Sequence, residues 1–538
     1  MIASISILSD YKKVDCLFKD DQSNKIVIDL NETIQNKTNN FDIEIIFSEP
    51  ITSFRNHDYT WIKPTSNCIA TEFSSKIIQL SNGSYIQPNS FVGIWEINKT
   101  TPNILLWRFN PHNSKPLTSY KGNKNQKLIT QAITQYSDFE NLALLITNNP
   151  IEFSRSKIPF SAIAVFTDHC DFDTANNLKL QREFFKKNGI KITKGFFLNH
   201  FSKREDNASF KNEEQELMRW KEDGHELCYH SLSQSIKLED ESFNDFYSFQ
   251  PPINEITTWI DHGYQHYNFS LFQNSGISNT NFENNLNKKN ITILWNYIDS
   301  GTATEGVINQ LNASHFTLSS FFKGNKDLST IKKLQLMLKN IIFHYYGDEQ
   351  LILKYKNTAS NFKKLITLKK LNYFFSFFKN AIQISSKLIT VFLFWNSTKN
   401  KPFKLAYFSP ILFKHTIAQK EFYVFQTIEM LDFKKALHSK NIDSLIKEKG
   451  IFIAHTYFSV PMDYHRGKMF SNENSIDVKV AANFKNLGDK IKNNEIWNPT
   501  LQQLVAYWSN FDNVLLDVDN QGTILVKSKL ELHFRQVI

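Results

Sequence analysis

Ser161-Ala-Ile-Ala-Val-Phe-Thr-Asp-His-Cys-Asp-Phe-Asp173 begins as an apolar run and ends in a knot of polar side chains. The run Ala162 to Phe166 is too short for a buried helix, and it reads as a strand covered on both faces. Thr174 to Asn188 then has helical texture, with Gly189 placed to end it. Working outward, Gly195-Phe-Phe-Leu198 is a second strand, and Asn212 to Asp223 is a second helix with Leu217 and Trp220 on one face. That helix stops at Gly224, and His225-Glu-Leu-Cys-Tyr-His230 is a third strand. Strands alternating with helices predict an α/β fold with a mostly parallel sheet, open or closed into a barrel.

Polar clusters fall where the predicted strands end: Asp168 to Asp173, then His230-Ser-Leu-Ser-Gln234, then Asp261-His262-Gly263. In α/β barrels the carboxyl ends of the strands house the chemistry, so distant clusters can converge there. Asp168, Asp171, Asp173 and His169 within six positions would repel and desolvate one another if buried alone, and a divalent cation resolves that conflict. A solvated turn whose Asp173 or Thr174 caps the next helix is the other reading of the same residues.

The order of these clusters resembles that of the NodB-type polysaccharide deacetylases, over roughly residues 158–310 and again near 405–510. Phe166-Thr-Asp-His-Cys-Asp171 is similar to that family's first motif, which supplies a base and a metal ligand. Gly224-His-Glu-Leu-Cys-Tyr-His-Ser231 resembles the second, in which the position of His230 binds the metal. Trp259-Ile-Asp-His-Gly263 falls where the family has an Arg-and-Pro loop, although both residues are missing. Leu294-Trp-Asn-Tyr-Ile-Asp299 looks like the strand that lines the pocket, and Ile451-Phe-Ile-Ala-His455 like the strand that ends in the general acid.

The resemblance implies a NodB-like distorted (β/α) barrel. It also implies a metal-dependent hydrolase that removes the N-acetyl or O-acetyl group of a sugar in a polysaccharide or its precursor. A divalent metal, Zn²⁺ or another first-row ion, would be held by Asp171, His230 and a third ligand, with Asp168 as base and His455 as acid. The first motif is stretched relative to the family's, which allows a second assignment, in which Asp171 is the base and Asp173 is on the metal; the first is preferred because Asp173 is placed to cap a helix. Trp295, Asp299 and Asp261 would bind substrate, and either aspartate could hold the His455 ring. The family's second metal-binding His is Gln234 here. The replacement is sought in Gln234, His169, His225 or His262, and His262 is favoured because it follows the next predicted strand. A catalytically degenerate glycan-binding or scaffolding protein on the same fold is the alternative.

The flanks read differently. Residues 1–150 alternate β-rich runs with turn residues, as in Lys25-Ile-Val-Ile-Asp29 and Ile104-Leu-Leu-Trp-Arg-Phe109, which predicts a sandwich-like domain with Trp95 and Trp107 in its core. Residues 151–311 and 406–538 share the barrel, the latter ending in a hairpin across Asp519 to Gly522. A Lys- and Phe-rich helical insertion, 312–405, separates them. Its aromatic part, 371–395, is too interrupted by Lys379 and Lys387 to span a bilayer, and it suits a helical lid or a peripheral contact at the inner face of a membrane. The formal charge of +9 comes without any nucleic-acid motif, so the expected partner is a carbohydrate. Four cysteines without CxxC spacing, and an opening MIASISILSDYKKVD that lacks a leader pattern, predict a cytoplasmic setting.

Overall fold

The computed structural model describes all residues except 10–11, 21–23, 31–40, 111–114, 122–125, 133–140, 201–206, 235–237, 263–276, 303–307, 347, 369–371, 394–410, 431, 461–467, 529–530 and 538. Gly263, Leu371, Phe394, Trp395 and the boundary at 405/406 therefore lie outside the described residues.

Seven strands, Ala162–Asp168, Thr193–Phe196, Glu226–His230, Thr258–Ile260, Ile293–Thr302, Lys420–Glu429 and Ile451–Thr456, form the centre of the fold. Each pairs in parallel with the next, and the seventh pairs with the first, so the sheet closes into a barrel with helices around it. Leu412–Ile417 adds to the sixth strand antiparallel. Side chains alternate between the two faces of a strand. Accordingly Ile163, Val165, Cys228, Ile260, Trp295, Ile451 and Ile453 pack in one cluster inside the barrel. Ala164, Phe166, Leu227, Tyr229, Trp259, Leu294 and Phe452 pack outward in another, with helix residues such as Phe185, Trp220 and Phe484. Each large aliphatic or aromatic side chain so buried contributes about 1.5–3 kcal/mol.

The helix Ala175–Asn188 ends as expected, on Gly189 in the left-handed region at φ 66°. Its N-cap is Thr174, whose side chain accepts from the Asn177 N–H, so Asp173 is not the cap that sequence reasoning preferred. The Asp173 carboxylate has a different partner, described below.

The N-terminal region forms two antiparallel sheets of six and seven strands around a common apolar core in which Trp95 and Trp107 are fully buried. This β-rich module is joined to the barrel in several places. Ile151–Phe153 pairs with Phe534–Gln536 near the end of the chain, and buried Glu152 accepts from Arg55 and Arg535 there, each at 2.8 Å. The hairpin of Pro116–Lys121 and Gln126–Gln131 meets the fifth barrel strand, where Asn296 accepts from the Thr118 N–H at 2.9 Å. The C-terminal hairpin, Leu516–Val518 with Ile524–Val526, leans on the N-terminal sheets: the Thr147 hydroxyl donates to the Gly522 carbonyl at 2.6 Å.

The insertion carries helices Leu318–Gly324, Thr330–Asn340, Glu349–Leu368 and Asn372–Leu393. They pack through two small apolar clusters made entirely of insertion residues. The Lys- and Phe-rich run thus forms the second arm of a helical hairpin. Among the described residues no helix is long and apolar enough to cross a membrane.

Candidate metal centre

The first, third, fourth, fifth and seventh strands deliver polar groups to one end of the barrel. His169 and Asp171 follow the first strand, His230 ends the third, Asp261 and His262 follow the fourth, and Asp299 and His455 stand near the ends of the fifth and seventh. The Asp171 carboxylate is the hub. His230 Nε2 lies 3.0 Å from its Oδ2, and His262 Nε2 lies 2.7 Å from its Oδ1. One ligand atom each of His169, Asp171 and His230 fall within 4.8 Å of one another, so this trio could hold a metal ion. Donors at about 2.0–2.2 Å from a tetrahedral ion lie about 3.3–3.6 Å apart, so the trio would tighten by up to about 1.5 Å on binding one.

The chemistry of these donors fits a cation. His169 Nε2 is buried and has no hydrogen-bond partner among the described residues, an arrangement that costs free energy unless something is coordinated there. Burial, together with the charges of His455 and His230, pushes the His169 pKa well below its ordinary value. Burial also lowers that of His230, against the pull of Asp171. Burial works to raise the Asp171 pKa, but the charge and hydrogen bond of His230 and those of His262 win and hold it well below the carboxylate range. Lowered His169 and His230 pKa values beside a lowered Asp171 pKa favour the protonation states that a metal requires.

His455 is shifted the other way. Burial lowers its pKa, yet Asp299 and further carboxylates overcome that, and the net shift is upward. Its Nδ1 lies 3.2 Å from both Asp299 oxygens, while the buried Nε2 has no hydrogen-bond partner among the described residues. Asp299 is itself fixed by the Thr427 hydroxyl at 2.7 Å, and Thr427 accepts from the Trp295 indole at 2.9 Å. The ring of His455 stacks on that of His169 with centroids 3.9 Å apart, and Trp295 meets His455 edge-on at 5.1 Å. The Asp–His pair therefore sits against the trio, its ring held by a carboxylate as sequence reasoning expects of Asp299.

Other expected residues lie elsewhere. Asp261 accepts from the Trp259 indole at 2.9 Å rather than holding His455. The Gln234 amide donates to the Asp171 backbone carbonyl at 3.2 Å, and its oxygen accepts from Asn207 at 2.8 Å, so it braces the loop instead of acting as a ligand. His225 Nδ1 accepts from the Ile192 N–H at 3.1 Å, away from the cluster.

Asp168 differs most from expectation. Alternation along the first strand turns its side chain outward, to the helix layer, as for Ala164 and Phe166. There it pairs with fully buried Lys194, which also holds Asp173 at 2.6 Å and Gln181 at 3.1 Å and lies 5.2 Å from the Trp220 ring. Asp173 accepts in addition from Ser459 at 2.6 Å and Gln181 at 3.1 Å. Burial raises the Asp168 pKa, opposed by Lys194; for Lys194 burial pulls downward, and the two carboxylates outweigh it. Neither Asp168 as base nor Asp173 as ligand is among the side chains gathered around Asp171. Sequence reasoning missed Lys194, although a lysine between Thr193 and Gly195 in an apolar strand is a signal for a buried counter-ion.

No family model matches this chain, and no curated protein does. Two solved structures of a Flavobacterium johnsoniae GH31 dextranase are similar to it: a mutant complexed with isomaltotriose (9% identity, TM-score 0.21) and a glucose complex (8% identity, TM-score 0.22). The matches cover 54% and 53% of this chain and 41% and 40% of theirs, about two fifths of the dextranase length.

Proposed function

We propose that this chain is a metal-dependent hydrolase of the polysaccharide deacetylase kind, built on a NodB-like barrel and acting on an N-acetyl or O-acetyl group of a carbohydrate. The observation that supports it is the meeting, at one barrel end, of His169 and His230, whose pKa values burial lowers, beside Asp171, and of His455, shifted the opposite way by Asp299. A divalent cation, Zn²⁺ or another first-row metal, supplies Lewis acidity and an acidified water when bound to such donors. His169, Asp171 and His230 would hold it, and His262 would orient the second oxygen of Asp171.

The remaining work falls to His455. With Nδ1–H directed at Asp299, Nε2 is the basic position, and it takes the proton of the water that attacks the acyl carbon. The same nitrogen then gives that proton to the departing amine or alkoxide as its bond to the acyl carbon breaks, leaving acetate and the free sugar amine or hydroxyl. Burial of Trp295 beside His455 keeps water from the back of the ring. Asp168, bound to Lys194, is assigned no proton transfer.

That assignment also favours a second reading, the degenerate glycan-binding or scaffolding protein, because the residue that the resemblance makes the base is occupied by a lysine. One experiment separates the two: metal analysis of the pure protein, with acetate release from an acetylated oligosaccharide. About one equivalent of metal and measurable release are expected, and both are lost in His230→Ala. A metal-free wild-type protein, or a His230→Ala variant that retains both properties, rejects the enzyme.

A further inference from the structure

The formal charge of the whole chain is +9, yet residues 349–393 hold eight lysines and one acidic residue, Glu349, a net +7. Charge that looks diffuse along the sequence is thus concentrated: the two helices of one hairpin, Glu349–Leu368 with Asn372–Leu393, carry six of these lysines against Glu349. The second helix has two apolar faces. Ile384 and Leu388 pack inward with Ile342 and Leu351. At about 100° per residue, Phe375, Phe378, Ile382, Ile389 and Leu393 fall within an arc of about 60°, some 110–150° around from that inner pair. This outer stripe is open: Phe375 is 74% exposed, Ile382 66%, Ile389 61% and Leu393 76%. Phe362 on the first helix is exposed as well, as are Lys356, Lys363 and Lys364 on that helix and Lys379 and Lys387 on the second; Lys379, about 40° around from Phe375, borders the stripe.

Single exposed apolar residues are ordinary, but five on one stripe of a helix that already has a packing face need a partner. Lys379 borders the stripe and the hairpin that carries it is strongly basic, with Glu349 its one acidic residue, so the matching surface is apolar just beneath a layer of negative charge. We propose that this hairpin docks on the surface of an anionic lipid bilayer, with Phe375, Phe378, Ile382, Ile389 and Leu393 entering the acyl boundary and the lysines meeting the headgroups. The inference rests on the hairpin alone and stands whether or not the barrel hydrolyses anything.

The test is co-sedimentation of the full chain with vesicles of phosphatidylcholine, or of phosphatidylcholine mixed with phosphatidylserine. Binding to the mixed vesicles is expected to be at least about tenfold tighter than to the neutral ones and to weaken with added salt. The triple variant Phe375→Ser, Ile382→Ser, Ile389→Ser should lose at least about tenfold in binding with an unchanged circular dichroism spectrum, since all three side chains are in solvent. Lys363→Ser with Lys364→Ser should lower binding to the mixed vesicles alone. Wild-type protein that stays in solution with both vesicles overturns the proposal, as does undiminished binding of the triple variant. It is equally overturned if the wild type is a dimer that the triple variant makes monomeric and neither sediments with lipid, which would give the stripe to a second copy.

Discussion

Replacing Lys194 by methionine isolates the role of the buried ammonium. Methionine keeps most of the stem against Trp220 and removes the charge that faces Asp168 and Asp173. Deleting one partner of a buried ion pair costs about 3–5 kcal/mol, because the remaining charge stays desolvated and unpaired. Here two carboxylates lose the same partner, which places the expected loss at about 4–5 kcal/mol, a third or more of an ordinary domain's stability. Guanidinium unfolding followed by tryptophan fluorescence reads it directly, since Trp220 borders the cluster. Adding Asp168→Asn to Lys194→Met removes one of the two stranded charges and should recover at least about 1 kcal/mol. A Lys194→Met protein within about 1 kcal/mol of wild type, or a double variant less stable than the single, would refute the view that this cluster is structural.

Asp299→Asn removes the charge that holds the His455 ring and should lower turnover about 10²- to 10⁴-fold while metal content stays unchanged, with His455→Ala no better. Metal loss in Asp299→Asn would instead make Asp299 part of the cation site. His262→Ala should weaken metal retention against a chelator about 10- to 100-fold, and identical retention would show that His262 only touches Asp171 without helping it bind.

Much of this arrangement was legible because the barrel writes its chemistry at strand ends. The apolar runs that finish at Asp168, His230 and His455 identify three strands, and the polar residues just beyond them are those that gather around Asp171. His262, favoured as third ligand from its position after Trp259 and Ile260, does reach Asp171, but the trio that could hold a metal takes His169 in that place. What the sequence hid depends on parity and on partners far away in the chain. Asp168 and His169 are adjacent, yet a one-residue step turns one side chain to the helices and the other to the mouth of the barrel. Lys194 could not be matched to Asp168 without knowing that the second strand lies beside the first in the register that sets Asp168 opposite Lys194. The helical insertion was legible in composition, but its second apolar face appears only once the turns of the helix are in place.

Closure of the barrel sets an order on assembly. The first strand meets its seventh neighbour in a register that sets Thr167 beside His455, a contact across nearly three hundred residues of chain with the whole insertion between them. Contacts of such separation form late, after local units have collapsed. His169, Asp171, His230 and His262 all precede the insertion. A nascent chain can therefore bring these four side chains together before the strand that carries His455 has left the ribosome, and a metal, if they take one up, would then help recruit the closing strand.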